Sequence, residues 1–440
     1  MRLAALSQNS PIRIKPKSRF AKPYKLVTAY KVFLWLFSKT ILQKPATRKN
    51  HLVKYSALPH HDSNFYYLIL IMKAPEQYDP SKHPKTDVSG SRPASPNHTA
   101  KNNSKSPAIP AGTPTITQNH KRTAQAEKKP FEWRFLLPKY WGIWLLFFFI
   151  LPMIYLPLRW QFWLGRKLGI LVYTVAGSRR RDTLINLRLA FPEKPEAERE
   201  LMAKQVFVNQ GIGVFETLCA WFRPNVFTRT VSISGLQHLV NAQNDNRAVI
   251  LLGAHYTMLD LGGLLSAQFF PVDCMYRPQN NPLLDWFIYN GRTTIFGKQI
   301  SSRDMRSLVT SIKAGHVIWY SPDQDYGLKQ GVMAPFFGVP AATITAARRM
   351  AKLGDKQHPP ALMALHTYRQ TPDNLPRGKR PHYHLTITPA LENYPSNDEV
   401  ADATRVNEIL EGLIRIDPTQ WMWFHRRFKN GPDGRTDIYK

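Results

Sequence analysis

The stretch AVILLGAHYTMLDLGG, residues 248–263, decides how this chain is read. An apolar run ends in Gly253-Ala254; then come a lone His255, four residues, and Asp260. A short apolar run bounded by glycine reads as a buried strand. Its two polar followers carry complementary acid and base character.

Working outward, the same kind of segment recurs. VDCMYRP (272–278), HVIWYSP (316–322), ALMALHTYR (361–369) and HYHLTITPA (382–390) read as further strands. Between and around them, EAERELMAKQVFVNQGIGVFETLCAWF (196–222), PLLDWFIYNGRT, RDMRSLVTSIKAG, ITAARRMAKLG and residues 398–416 read as helices, with Gly315 closing the third. Alternation of this kind predicts a layered α/β domain over 161–440, a mixed sheet flanked by helices.

In such sheets ligands bind outside the carboxyl ends of the strands. His255 is expected there, with Asp260 near the start of the next helix. A carboxylate folded back onto an imidazole fixes its tautomer, and the other ring nitrogen can then take a proton from a hydroxyl. A surface histidine followed by a helix-capping aspartate stays open as the other reading, because a two-residue motif recurs by chance. Arg277 follows the next strand, and Asp323 and Asp325 follow HVIWYSP, so three strands deliver polar residues to one rim. Loops are polar in any case. With no G-x-S-x-G elbow, H-E-x-x-H pair or Walker A run, the pair is expected to act directly on a substrate hydroxyl, with no metal and no cofactor.

Composition points to anionic partners. The chain of 440 residues carries 60 Lys and Arg against 30 Asp and Glu, a net +30. A charge of that size fits nucleic acid, acidic headgroups or an acidic carrier. No zinc finger, RNP aromatic motif or basic recognition helix is present, so nucleic acid is not expected. Two cysteines, Cys219 and Cys274, exclude a disulfide framework.

The charge is uneven. Residues 1–130 hold 23 basic against 5 acidic residues. Residues 73–130 contain nine prolines and no Phe, Trp or Leu, so 72–130 reads as a disordered linker. Met72 is the first methionine after Met1, and translation is expected to start there, which makes 1–71 a doubtful extension; a membrane-associated arm is the rival reading. From Trp141 to Leu158 the chain is uncharged, flanked by Lys139 and Arg159. Segment 139–160 is therefore expected to anchor the protein in a membrane, as one span or a deep interfacial insertion, with a buried core helix as the alternative.

HYTMLD resembles the H-x4-D/E motif of glycerolipid-type acyltransferases. Further, MYRPQNNPLLDW, WYSPDQDYG, APFFGVPAAT, QWMWFHRRFKNGPDG and the FPE at 191–193 after NLRLA together resemble the late lipid A biosynthesis acyltransferases of the lauroyl or myristoyl type, from about residue 137 to 437. Many members carry Glu at the position of Asp260, and the F-P-E-G-T-R block of lysophosphatidate acyltransferases is replaced here by SPDQDYG. The resemblance implies a glycerolipid-acyltransferase-like fold at the cytoplasmic side of the bacterial inner membrane. It implies transfer from an acyl carrier protein thioester to a hydroxyl of an anionic lipid A precursor of the Kdo-lipid IVA type. A lysophospholipid or another glycolipid is the alternative acceptor. His255 would be the general base and Asp260 its orienter. Arg277, Asp323, Asp325, Arg426 and Arg427 would supply electrostatics or substrate contacts.

Overall fold

In the computed structural model, which describes residues 127–227, 230–354, 357–431 and 437–439, the apolar stretch at 139–160 breaks into two helices. The extension at 1–71, the start at Met72 and the linker as far as residue 126 lie outside the described residues. Helix α1 (Trp141–Met153) has 13 residues. At 1.5 Å per residue that is about 20 Å, short of the ~30 Å hydrocarbon layer. Pro152 lies in its last turn and Pro157 caps α2 (Leu158–Val175), so the chain turns where a span would continue. No helix among the described residues is long and apolar enough to cross a membrane, which overturns the expected span. One face of α1 is core instead: Ile143, Trp144 and Phe147 are buried, and the Phe147 ring stacks on Phe287 at 3.9 Å. The end of the expected linker is docked too, since the Lys129 main-chain N–H donates to Asn290 (2.8 Å) and its ammonium to Asp285 (2.6 Å).

Helix α3 (Gly177–Ala190) leads to the 27-residue α4 (Glu196–Phe222), with Glu196 and Glu198 in the first turn, where the helix dipole favours acids. α2 and α4 cross closely through glycines. A Cβ at Gly169 would collide with the Phe207 carbonyl, and one at Gly211 with the Gly165 carbonyl. The remaining elements alternate: β1 (Val231–Ser234), α5 (Leu236–Asn244), β2 (Val249–Leu252), α6 (Leu259–Ser266), β3 (Asp273–Tyr276), α7 (Pro282–Arg292), β4 (Gln299–Ser301), α8 (Met305–Lys313) and β5 (Val317–Tyr320). The hairpin of β6 (Gly331–Phe336) and β7 (Val339–Ile344) follows, then α9 (Ala346–Ala351), β8 (Ala361–Arg369), β9 (Tyr383–Ile387) and α10 (Glu399–Ile414).

The sheet runs β1-β9-β8-β2-β5-β3-β4. β8, β2, β5, β3 and β4 are mutually parallel, and β9 is antiparallel to β8, so the sheet is mixed as expected. Both faces are covered. Val249 and Leu251 of β2 join one core cluster, and Ile250 and Leu252 the other. This explains the unbroken apolar run, because every residue of β2 is buried. Parallel strands also bring the residues after β2, β3, β5 and β8 to one edge.

Candidate active site

That edge carries His255. β2 and β5 pair in parallel with Leu252 opposite Tyr320. Three residues beyond each partner stand His255 and Asp323, and the register brings them together. Asp323 accepts from His255 Nδ1 at 2.6 Å, from the His255 main-chain N–H at 2.6 Å and from Trp421 Nε1 at 2.8 Å. Burial alone pushes this carboxyl up; the attraction of His255 and the three hydrogen bonds outweigh it and hold its pKa down at about 2. An ionised carboxylate only accepts, so it fixes the imidazole proton on Nδ1 and leaves the Nε2 lone pair free. The His255 side chain keeps 22% of its surface exposed, room for a hydroxyl to approach.

The turn that aims His255 is locked from three sides. A Cβ at Gly253 would run into the Trp319 indole, so only glycine fits at the strand end. The C-terminal block clamps the next residues. Met422 N–H donates to the His255 carbonyl (3.0 Å) and Thr257 N–H to that of Gln420 (2.8 Å). Asn186 of α3 holds this block by donating to the carbonyls of Trp423 (2.5 Å) and His425 (2.7 Å). The FPE-preceding NLRLA and the WMWF segments, far apart in sequence, therefore serve one turn.

Asp260 is not the orienter of His255, which corrects the expected pairing. It lies in the first turn of α6, and its oxygens are taken by Arg292 Nε (2.8 Å) and Trp221 Nε1 (3.1 Å). Nor does it cap the helix: Met258 is the N-cap, without a side-chain cap bond. Burial works against the Arg292 charge, but Asp260 outweighs it and raises the guanidinium pKa. The five-residue spacing puts Asp260 inside the helix, while register gives the His to Asp323.

The other expected site residues divide. Arg277 follows β3 on the same edge and has no ion pair among the described residues. Asp325 is a structural clamp, accepting from Asn430 N (2.8 Å), Asn430 Nδ2 (2.6 Å) and Gly327 N (2.8 Å). Arg426 pairs with Asp182 of α3 at 2.9 Å. Arg427 is fully buried, donates to the Ala342 carbonyl (2.8 Å) and Thr343 Oγ1 (3.0 Å), and lies 4.6 Å from the Phe336 ring centroid. It ties the β6–β7 hairpin to the C-terminal block and is sealed from any substrate, contrary to expectation.

His425, the first residue of HRRFK, joins the site without any signal in the sequence that sets it apart from its basic neighbours. Its ring meets that of His255 edge to face, centroids 5.9 Å apart. Burial first, and then repulsion from His255, lower its pKa to about 3, so it is neutral. Arg292 and Trp421 were equally unmarked, for no local pattern ties them to Asp260 or Asp323. Among the described residues no group of His, Cys, Asp and Glu could hold a metal.

Comparison with known proteins gives the family. The family described as bacterial lipid A biosynthesis acyltransferase matches residues 128–430. The lipid A biosynthesis palmitoleoyltransferase of Escherichia coli (strain K12) is 33% identical over 311 residues, 70% of this chain and 98% of the relative. The lauroyltransferase of that strain gives the same identity and coverage. Its myristoyltransferase is 27% identical over 70% of this chain and 94% of its own length. The solved 1-acyl-sn-glycerophosphate acyltransferase of Thermotoga maritima aligns with 59% of this chain and 96% of its own at 14% identity and a TM-score of 0.25. The chain belongs to the bacterial lipid A biosynthesis acyltransferases, enzymes of acyl transfer.

Proposed function

We propose that this acyltransferase moves a fatty acyl chain from an acyl carrier protein thioester to a hydroxyl of an anionic lipid A precursor of the Kdo-lipid IVA type. His255 Nε2 takes the proton of the acceptor hydroxyl as its oxygen attacks the thioester carbonyl. The tetrahedral intermediate collapses by breaking the C–S bond, and the imidazolium returns the proton to the leaving thiolate. Asp323 holds the imidazole and stabilises its charged form. Asp260 keeps Arg292 in place. Main-chain N–H groups of the rim, or Arg277 with its unpaired charge, would meet the developing oxyanion or the acceptor's anionic groups. The observation that carries this reading is the His255–Asp323 pair at the carboxyl edge of the sheet, in a chain of this family.

The place of action in this proposal is the cytoplasmic surface of the bacterial inner membrane. Trp141, Phe149, Tyr155, Leu156, Trp160 and Trp163 support interfacial contact, since all are exposed around α1 and the start of α2. Transfer from an acyl carrier protein thioester to the purified precursor, with and without His255→Ala, tests the chemistry. Loss of roughly 100-fold or more is expected for the variant. The mass of lipid A from a deletion strain tests the acceptor, and unchanged acylation points to a lysophospholipid or another glycolipid.

A further inference from the structure

A second basic site lies away from His255. Arg159 at the start of α2 faces Arg377, Lys379 and Arg380 of the β8–β9 loop across a pocket of about 310 Å³, lined besides by Pro157 and Leu158. The lining holds four cations and no acid. None of the three loop cations has an ion pair among the described residues, and all three are exposed.

The fold builds this cluster. Leu375 is buried against Phe162 of α2 and Val208 and Ile212 of α4, which pins the middle of the loop to the helix pair. Asp373 adds a weaker tie to Arg166 of α2 at 3.6 Å. Gly378 takes a left-handed φ of +75°, and Lys379 N–H closes a turn on the Pro376 carbonyl at 3.2 Å. The loop is thereby folded back so that its cations line one pocket with Arg159, and none of the four has an ion pair among the described residues. An anion entering this pocket would meet four cations and no acid.

Two observations say which anion. The pocket's own floor continues into exposed apolar side chains: Tyr155 and Leu156 precede Pro157, and Trp160 and Trp163 follow one and two turns on, exposed between 41% and 63%. Aromatic side chains beside cations are the composition of a bilayer interface. The loop also leaves β8 at its carboxyl end, the edge that carries His255.

We infer that Arg159, Arg377, Lys379 and Arg380 form a headgroup site for the phosphate of anionic phospholipids, which holds the catalytic edge against an acidic bilayer. The inference rests on the membrane-surface reading above and specifies which face makes the contact. No catalytic group takes part.

The test is partition of the full chain onto vesicles of phosphatidylcholine alone and of phosphatidylcholine with phosphatidylglycerol. R377Q/K379Q/R380Q is compared with the equally discharged control R306Q/K313Q/K352Q, whose side chains are exposed elsewhere. Circular dichroism checks that both fold. Each interfacial cation adds about fivefold, so the loop variant is expected to bind acidic vesicles on the order of 100-fold more weakly than wild type, with the control close to wild type. Equal binding by the two triple variants overturns the pocket. Release of wild type by inorganic phosphate, beyond chloride of matched ionic strength, overturns the lipid assignment in favour of free phosphate. Wild type that ignores acidic vesicles overturns the membrane reading itself. Acyl transfer is not scored, so failure of the proposed chemistry leaves the result readable.

Discussion

Strand β5 has a His–Asp pair at each end. Beyond its carboxyl end Asp323 holds His255; just before its first residue, His316 holds Asp273 of β3. The two look alike in isolation. Both bond through Nδ1, at 2.6 and 2.8 Å, with side-chain exposures of 22% and 17% for the histidines and 0% and 2% for the acids. What separates them is position. Asp323 receives three donors and His255 sits in a turn clamped by the C-terminal block, whereas Asp273 receives the His316 ring alone among the described side-chain bonds. In open sheets it is the carboxyl edge that opens toward a ligand. A His–Asp hydrogen bond by itself therefore does not mark a catalytic site, and the proposal for His255 rests on the strand direction around it.

The comparison breaks most directly by removing each imidazole. His255→Ala should lower kcat/KM roughly 100- to 10,000-fold, whereas His316→Ala should change it less than about threefold. Equal losses in a transfer assay would sink the assignment by strand edge. Asp323→Asn should come close to the His255 loss. An amide offers one acceptor and one donor where three donors converge, and it no longer fixes the Nδ1 tautomer. The same carboxylate sets a pH dependence of stability. Its folded pKa, about 2, lies below the ordinary 3.8, so its contribution is complete above about pH 4 and fades as pH falls toward 2. That contribution is about 2 kcal/mol. Urea unfolding along a pH series should show this slope in wild type and not in Asp323→Asn.

Asp260 sharpens the contrast differently. Asp260→Asn strands the largely buried Arg292 charge and should destabilise the fold by about 3 kcal/mol in urea unfolding. Adding Arg292→Gln should return part of that loss, as a double-mutant cycle reads. An Asp260→Asn chain of unchanged stability but lost turnover would mean that the carboxylate serves His255 after all. The smallest effect is expected at the helix crossing, where Gly211→Ala should cost about 1–3 kcal/mol by pushing α4 off α2, with kcat altered less than stability.

Much of the layered domain was legible because its strands and helices write their burial into local pattern. ALMALHTYR is β8 residue for residue, and EAERELMAKQVFVNQGIGVFETLCAWF is α4. The β6–β7 hairpin was hidden inside APFFGVPAAT, where alternation is weak and Pro335 and Pro340 mask the strands. The membrane span misled because hydropathy counts apolar residues without asking what covers them. Phe147 is apolar because Phe287 stacks on it, and Pro152 ends the helix regardless. Net charge along the chain likewise says nothing of internal partners or burial: Arg426 pairs with Asp182, and Arg427 is fully buried against Ala342 and Thr343.

The sequence by itself determined the α/β class, the buried strand that aims His255, the convergence of polar residues on one edge, and the family, because each rests on local pattern or on ordered motifs. Tertiary structure decided which acid holds the histidine. Asp260 is five residues away and Asp323 sixty-eight, yet the pairing of Leu252 with Tyr320 delivers the distant one. Strand register is a long-range property, fixed by how whole faces of β2 and β5 bury against the two cores, and no spacing along the chain records it.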